Sequence, residues 1–230
     1  IHATEAEARE ETLGMLEIYR KLGENLLAIP FTTGLKTEKE KFAGAIETYA
    51  IEALMHDGKA LQSGTSHYFG SGFAEAFNIT FQDKDNQLKH VYQTSWGVST
   101  RLIGAVIMVH GDDEGLVLPP YVAPIQVVII PIQSQKEVVK NGSEKLYEAL
   151  TSQGFRVTLD DSNRTPGWKF SEYEMKGVPL RIEIGPRDIE NGVLTVSIRH
   201  SREKRQIPIN QISHEIPKLL AEIHEAMYNK

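Results

Sequence analysis

The sequence predicts an α+β domain with an antiparallel sheet over residues 1–119, followed by a small α/β domain with a mixed sheet over residues 120–230. Three observations support this organisation. The segment "LVLPPYVAP", residues 116–124, is rich in proline, which favours extended geometry and indicates a semi-rigid linker. Before the linker, "ITFQDKDNQLKHVYQTSW" alternates on both sides of an Asp/Asn turn, as hairpins do. After it, strand-like and helix-like patterns alternate along the chain.

The first half begins with a helix over about residues 4–23, where Thr4 and Glu7 form a capping box. A short extended piece, "LAIPFTTGL", precedes a second predicted helix at about 38–56 and a short helix near Gly70. The segment "STRLIGAVIMVHGD" predicts a buried helix, because apolar residues occur on nearly every side of it. With these assignments, the first half contains few predicted strands. We therefore expect this half to be the back portion of a larger antiparallel-sheet domain.

The second half contains "QVVIIPI", a continuous apolar run that is typical of a buried parallel strand. A helix at about 134–153, the strand "FRVTLD" and a helix at about 168–176 follow. The segments "PLRIEIG" and "GVLTVSIRH" predict the remaining strands, and an amphipathic helix begins at about residue 208.

Composition narrows the function classes. The net charge of −6 argues against a protein that coats nucleic acid indiscriminately. Residues 1–119 contain 10 Lys and Arg and 17 Asp and Glu. Residues 120–230 contain 15 Lys and Arg and 14 Asp and Glu. The run "SIRHSREKR" is either a solvated charge run or an anion-binding edge.

The absence of cysteine excludes disulfides and fits a cytoplasmic protein. No apolar run approaches about 18 residues, so no membrane partner is expected.

The stretch "LQSGTSHYFG", residues 61–70, carries the first candidate binding residues. Gln62, Thr65 and His67 surround Gly64, which allows a backbone to approach a ligand closely. An amide and hydroxyls can hydrogen-bond a carboxylate, and the His67 imidazole can donate a hydrogen bond or change its charge. A surface turn with a satisfied histidine explains the same residues, so both readings stay open at this point.

A second polar stretch, "QTSWGVSTR", follows the hairpin. Trp96 and Gly97 offer a flat apolar floor, and Arg101 lies in the first turn of the next helix, where phosphate binds well. The alternative is an arginine that pairs with a surface carboxylate. In "GLKTEKEKFAG", Phe42 is either a core residue or a pocket wall. His110 and the acids of "HGDDEG" are potential metal ligands, but capping and solvation at a helix end explain them more simply.

These motifs resemble those of prolyl-tRNA synthetases in their eukaryote- and archaeon-like form. The resemblance rests on "KTEKEKFAGA", "LQSGTSHYFG", "QTSWGVSTRLIGAVIMVHGDDEGLVLPP" and "RTPGWKFSEYEMKGVPLRIEIGPRD", which occur in this order over nearly the whole chain. It implies the C-terminal part of a class II catalytic domain with an antiparallel sheet, followed by an anticodon-binding domain. The second glycine of the general class II motif is absent from "GVSTR", as in the wider prolyl family.

The resemblance implies an ATP-dependent aminoacyl-tRNA ligase. Its members activate proline with ATP to prolyl-adenylate and transfer the prolyl group to tRNA, with Mg²⁺ bridging phosphates and no covalent enzyme intermediate. By this resemblance the nucleotide would be held by Gln62, Thr65, Ser99 and Arg101. Proline would be held by Phe42, His67, Trp96 and Gly97. No residue is expected to bind a metal.

For the second half, the resemblance implies anticodon binding. Glu183 would accept hydrogen bonds from guanine edges, and Arg187 would reach a base or a phosphate. Lys204 and Arg205 would add backbone contacts.

The same resemblance implies parts that this sequence does not contain. These are the first class II signature, which builds a homodimer interface, most of the second signature, and a C-terminal domain that is often zinc-bearing. We therefore expect a fragment of the full enzyme that does not form prolyl-adenylate alone. The alternatives are a non-catalytic RNA-binding or regulatory module on the same scaffold and a class II synthetase of another specificity.

Overall fold

A computed structural model describes all residues from Ile1 to Lys230, and they form two compact units. The first unit comprises Ile1–Asn25 and Ile29–Val109, and the second comprises Leu26–Ala28 and His110–Lys230. The domain boundary predicted between residues 119 and 120 stays a prediction.

The first unit has a helix-covered sheet and a separate hairpin. Its helices are α1 (Glu5–Leu22), α2 (Gly72–Ala76) and α3 (Arg101–His110), and a π-helical turn, Gly23–Leu27, follows α1. Its strands are β1 (Thr32–Leu35), β2 (Glu47–Leu54), β3 (Ala60–Gly70), β4 (Thr80–Gln82), β5 (Leu88–His90) and β6 (Gln93–Val98). The predicted capping box is confirmed, because Thr4 accepts a hydrogen bond from the amide of Glu7 and Glu7 accepts one from that of Thr4.

The main sheet of this unit is antiparallel, with the strand order β1-β2-β3-β6. Helix α1 covers one face of it. The Ser66 hydroxyl donates to the carbonyl of Thr12 at 2.8 Å, and the Arg9 guanidinium lies 4.3 Å from the ring centroid of Tyr68. The other face therefore remains available for binding. The predicted hairpin is confirmed as β4 and β5, which pair through Thr80 and His90.

The helix predicted at about 38–56 is wrong. Residues 47–54 form β2, a strand that pairs on one side with β1 and on the other with β3. Its sequence, "ETYAIEAL", contains the β-branched and aromatic side chains that favour strands, and neighbours on both sides override the helical spacing of its alanines. This extra strand also corrects the expectation of few strands, since the sheet has four. The segment 61–70 is accordingly not a turn but most of β3.

Helix α3 was expected to be buried on nearly every side, but the structure corrects this. Ala105 and Val106 are buried, whereas Ile103 is 63% exposed and Ile107 is 46% exposed. The apolar residues thus cover both a packed and an open face. No helix of the structure combines the length and the apolar character that a membrane crossing requires.

The second unit is an α/β domain. Its strands are β7 (Val127–Pro131), β8 (Val157–Leu159), β9 (Leu180–Ile184), β10 (Val193–Ile198) and β11 (Lys204–Pro208). Its helices are α4 (Glu137–Ser152), α5 (Pro166–Met175), α6 (Pro186–Asn191) and α7 (Ile212–Tyr228), the last preceded by a 3₁₀ turn, Ile209–Gln211. The end of the basic run, Lys204 and Arg205, was not predicted as a strand, yet β11 begins there.

The sheet of the second unit is mixed, as predicted, with the order β11-β10-β9-β7-β8. Strand β7 is buried at every position and runs parallel to both β8 and β9, which confirms the buried parallel strand. The alternate residues of β9 and β10, among them Ile182 and Val196, join the core together with apolar residues of α4 and α7. The opposite face of β9 and β10 is consequently free to carry polar side chains.

Candidate functional site

A β-bulge brings the candidate residues of β3 to one face of the sheet. Ala50 pairs with Thr65 and Ile51 with Gly64, but Glu52 pairs with Gln62, so Ser63 is an extra residue. In a regular strand, residues three positions apart point to opposite faces. The extra residue shifts the alternation, and Gln62 therefore shares a face with Thr65 and His67. Because Ser66 points to α1, this shared face is the one that α1 leaves open.

Strand β6 extends this face beside β3. Ser95 lies opposite His67 and Gly97 lies opposite Thr65, so these positions share the open side. A Cβ atom at Gly97 would meet no heavy atom within 4 Å. Gly97 thus leaves space on this face, beside the position of Thr65.

Trp96 does not lie on this face, contrary to the prediction that it walls the same pocket as Phe42 and His67. It pairs with Ser66, whose side chain points to α1. It instead lines a cavity of about 350 Å³ with His2 and Glu11. The prediction failed because the sequence alone did not reveal that "SWG" lies in a strand, where neighbours alternate between faces.

His67 is held by aromatic rings and by a residue that the sequence analysis missed. Its ring centroid lies 5.1 Å from that of Phe42 and 5.8 Å from that of Phe69. The hydroxyl of Thr48 lies 2.9 Å from His67 Nδ1, and it also accepts the amide N–H of Phe42 at 3.1 Å. Burial lowers the pKa of the His67 imidazole. A neutral ring is therefore favoured at neutral pH, in a setting that Phe42 and Phe69 make apolar on one side.

Three of the four residues predicted to bind the nucleotide, Gln62, Ser99 and Arg101, meet toward the other end of β3. Arg101 Nη1 donates to the backbone carbonyl of Gln62 at 3.1 Å, and the backbone amide of Arg101 donates to the Ser99 hydroxyl at 3.3 Å. Arg101 forms no ion pair and is exposed at the start of α3, so its guanidinium retains donors for an anion. The surface-carboxylate alternative for Arg101 is thus wrong.

A charged pair that the sequence analysis did not single out lies on the same face. Lys36 pairs with Glu52, and Glu52 stands opposite Gln62 across β2 and β3. Both side chains are largely shielded, with 17% and 31% exposure. This pair was missed because residues 38–56 were predicted as a helix, which would not place position 52 beside position 62.

The second unit has its own polar sheet face, centred on Glu183. One carboxylate oxygen of Glu183 accepts hydrogen bonds from Arg181 at 3.2 Å, from Ser197 at 3.2 Å and from Lys204 at 3.5 Å. Arg181 is only 8% exposed, and its guanidinium carbon lies 4.1 Å from the centroid of the Phe170 ring. Arg181 and Ser197 were not predicted. They matter because they hold the Glu183 carboxylate in place.

The other two residues predicted for this surface do not contact Glu183. Arg205 pairs in register with Val196, a core residue, so it lies on the face opposite Glu183. Its guanidinium is engaged by Glu222 of α7 at 2.8 Å and by Glu203. Arg187 is exposed on α6 and forms no ion pair with Glu183. The structure therefore brings Lys204 to Glu183 but does not bring Arg205 there.

The metal alternative for "HGDDEG" is not supported. His110 Nε2 contacts the carbonyl of Leu27 at 2.9 Å, and Asp112 is bound by Arg199. No three His, Asp or Glu side chains of the chain lie close enough together to hold a metal ion. These side chains serve the packing of the second unit.

The comparisons with known proteins assign both units. Residues 1–110 match the family model of the tRNA synthetase class II core domain (G, H, P, S and T), and residues 126–219 match that of the anticodon binding domain. The fold is therefore that of a class II aminoacyl-tRNA synthetase core followed by an anticodon-binding domain. This confirms the predicted fold class.

Individual relatives narrow the class. The chain is 60% identical over 230 residues to proline–tRNA ligase of Phytoplasma australiense and 58% identical over 229 residues to that of Ruminiclostridium cellulolyticum, and it spans 48% of each. It also matches the crystal structure of prolyl-tRNA synthetase from Cryptosporidium parvum complexed with L-proline and AMP, with a TM-score of 0.95 and 44% identity over 99% of this chain and 50% of that one. The chain is thus similar over its whole length to members of the prolyl-tRNA synthetase family. It spans about half the length of the curated relatives that it matches.

Proposed function

We propose that the chain forms part of a ligase that activates proline with ATP and transfers the prolyl group to its tRNA. The single observation that carries this proposal is the bulge at Ser63, which places Gln62, Thr65 and His67 on one open face. The relatives named proline–tRNA ligase and the neighbour complexed with L-proline and AMP support it. As the resemblance of the sequence implies, the full ligase would act in translation, in the cytoplasm and as a homodimer. The eukaryote- and archaeon-like assignment stays a prediction, since the bacterial relatives do not test it.

On this face, positioning and charge neutralisation can accelerate the reaction. Attack of a carboxylate on the α-phosphate of ATP needs no covalent help from a side chain, so the reactants mainly need correct placement. Arg101 would bind the phosphates with its planar fork, assisted by Ser99 and Gln62. Phe42 and His67 would form the apolar side and the polar contact of the proline site, and Gly97 would leave room for the ligand.

Magnesium is a separate part of the proposal. On the face that carries Gln62 and His67, the carboxylate of Glu52 is already paired with Lys36. Since Mg²⁺ prefers carboxylate and phosphate oxygens, the residues of this chain do not offer it a ligand set. Any Mg²⁺ would be held through the phosphates of ATP.

In the second unit, Glu183 and Lys204 would contact the anticodon of the tRNA. A carboxylate can accept hydrogen bonds from the donor edge of guanine, and Lys204 can neutralise a phosphate. Arg187 stays a candidate for a further contact, because it is exposed. Arg205 is not proposed as an anticodon contact, because it pairs with Glu222 on the opposite face of the sheet.

A chimera tests the proposal directly. The aligned half of the Phytoplasma australiense ligase would be replaced by these 230 residues, and proline-dependent ATP–pyrophosphate exchange and tRNA prolylation would be measured against the unaltered ligase. We expect both activities with proline as the preferred amino acid. A folded chimera that uses another amino acid would support the other-specificity alternative. One that binds tRNA without exchange would support the non-catalytic alternative.

A further inference from the structure

The hydroxyl of Thr48 lies between two groups that the candidate site uses. Thr48 is 3% exposed, and it stands directly opposite His67 across β2 and β3. Its oxygen accepts the backbone N–H of Phe42 at 3.1 Å and lies 2.9 Å from Nδ1 of His67. One hydroxyl thus connects the loop that carries Phe42 with the imidazole ring.

The donors and acceptors around the Thr48 hydroxyl determine the direction of its hydrogen bond with His67. A threonine hydroxyl has one hydrogen to donate and two lone pairs to accept with. One lone pair is taken by the Phe42 amide, and Thr48 contacts no acceptor other than His67 Nδ1. If Nδ1 carried a proton and donated it, the buried hydroxyl hydrogen would have no acceptor, which is costly. The Thr48 hydroxyl therefore donates to Nδ1.

The opposite ring nitrogen must then carry the proton of the neutral imidazole. In a neutral ring one nitrogen is a donor and the other an acceptor, and the hydrogen bond to one sets the state of the other. The chain supplies no hydrogen-bond partner for Nε2 of His67. Phe42 and Phe69 meanwhile contact the ring and restrict its orientation.

We propose that Thr48 is a positioning residue that fixes His67 in the tautomer with its proton on Nε2, so that the ring presents a neutral hydrogen-bond donor to an oxygen of the bound amino acid. The assignment of the tautomer depends only on contacts within this chain. The identity of the ligand rests on the proposed function. Thr48 touches no substrate in this arrangement and acts only through His67 and the amide of Phe42.

The first experiment measures the tautomer itself. The 230-residue chain would be labelled with ¹⁵N at histidine, and ¹H–¹⁵N correlation spectra would distinguish the protonated from the unprotonated ring nitrogen of His67 near neutral pH. We expect an unprotonated Nδ1 and a protonated Nε2 in the natural sequence and in Thr48→Ser. In Thr48→Val, which removes the donor at nearly equal volume, we expect a mixture of tautomers. Thr33→Val on the exposed strand β1 is the matched control and should leave the His67 signals unchanged.

A protonated Nδ1 in the natural sequence overturns the proposal, and so does a Thr48→Val spectrum identical to that of the natural sequence. If Thr48→Val does not fold, the ¹⁵N chemical shifts of His67 in the natural sequence and in Thr48→Ser still show which ring nitrogen carries the proton. The second experiment uses the chimera. There Thr48→Val should raise KM for proline by about tenfold, while KM for ATP changes less than about twofold and Thr48→Ser stays close to the natural sequence. A chimera without any activity argues against the proposed function, but it leaves the tautomer measurement valid.

Discussion

The guanidinium of Arg199 donates two hydrogen bonds to the carboxylate of Asp112, from Nη1 at 2.8 Å and from Nη2 at 2.5 Å. Arg199 is only 6% exposed, and its Nε donates to the carbonyl of Glu174. A bidentate pair of this kind combines strong charge-assisted hydrogen bonds with a fixed geometry. It joins the segment after α3 to the end of β10 within the second unit.

Asp112→Asn should destabilise the second unit by about 2–3 kcal/mol, because it leaves the buried guanidinium without a compensating charge. Urea unfolding curves of both proteins measure the difference. Asp113→Asn is the matched control, since Asp113 is exposed and forms no ion pair. Equal losses in the two variants would show that the pair with Arg199 is not the cause.

The same pair should make stability depend on pH in the acid range. Arg199 holds the pKa of the Asp112 carboxyl well below its usual value. The unfolded chain therefore binds a proton at a pH where the folded chain does not. The contribution is complete above about pH 5 and is lost as the pH falls below about 3.9, the usual pKa of aspartate. We expect the difference in unfolding free energy between the natural sequence and Asp112→Asn to shrink over this range, and a constant difference would contradict the assignment.

Arg101→Ala in the chimera should lower the rate of ATP–pyrophosphate exchange by about 10²–10³-fold, because a fixed cationic donor at the phosphates is removed. Arg101→Lys should recover little of this loss, since an ammonium cannot replace the planar fork. Lys59→Ala serves as the control, because the Lys59 side chain is 82% exposed and pairs only with Asp57. Exchange kinetics at varied ATP concentration would check this. A fully active Arg101→Ala variant would remove Arg101 from the site.

Gly97→Val should fold normally and yet impair the reaction. A Cβ at this position meets nothing within 4 Å, so the unfolding free energy should change by less than about 0.5 kcal/mol. The added side chain would occupy the space opposite Thr65, and the exchange rate in the chimera should fall by about 10- to 100-fold. Gly14→Ala, at another open glycine position in α1, should leave the rate unchanged. A Gly97→Val chimera at full rate would show that no ligand uses this space.

Lys204→Ala and Arg205→Ala separate the two faces of the second sheet. Lys204 contacts Glu183, whereas Arg205 pairs with Glu222 on the opposite face. Binding of an anticodon stem-loop RNA, measured by fluorescence anisotropy, should weaken about 3- to 10-fold in Lys204→Ala and also show a shallower salt dependence. Arg205→Ala should bind as the natural sequence does. An equal loss in both variants would contradict the separation of the faces.

Much of the fold follows from the sequence because its patterns are local. The capping box of Thr4 and Glu7, the hairpin and the buried strand β7 each depend on neighbours in the chain, and all three are confirmed. Strand β2 was missed because its pairing with β1 and β3, not its own spacing, decides its conformation.

The candidate site was predictable in its residue types but not in its geometry. Gln62, Thr65 and His67 were chosen for their chemistry, and their roles stay proposals. Trp96 was placed with them because it is adjacent to Gly97 in sequence, although adjacent residues of a strand face opposite sides. Thr48 escaped notice because it acts through His67 on a neighbouring strand, and Arg181 because only the fold brings it against Phe170 and Ser197.

The bulge at Ser63 makes the pairing of β3 as important as its residues. A strand of the same sequence that paired regularly with β2, without the bulge, would contain the same side chains and present a different surface. The amide of Gln62 would turn toward the layer beneath, among side chains that seal the sheet. Pairing register in this short stretch is thus as informative as residue identity, and designers of altered versions should preserve both.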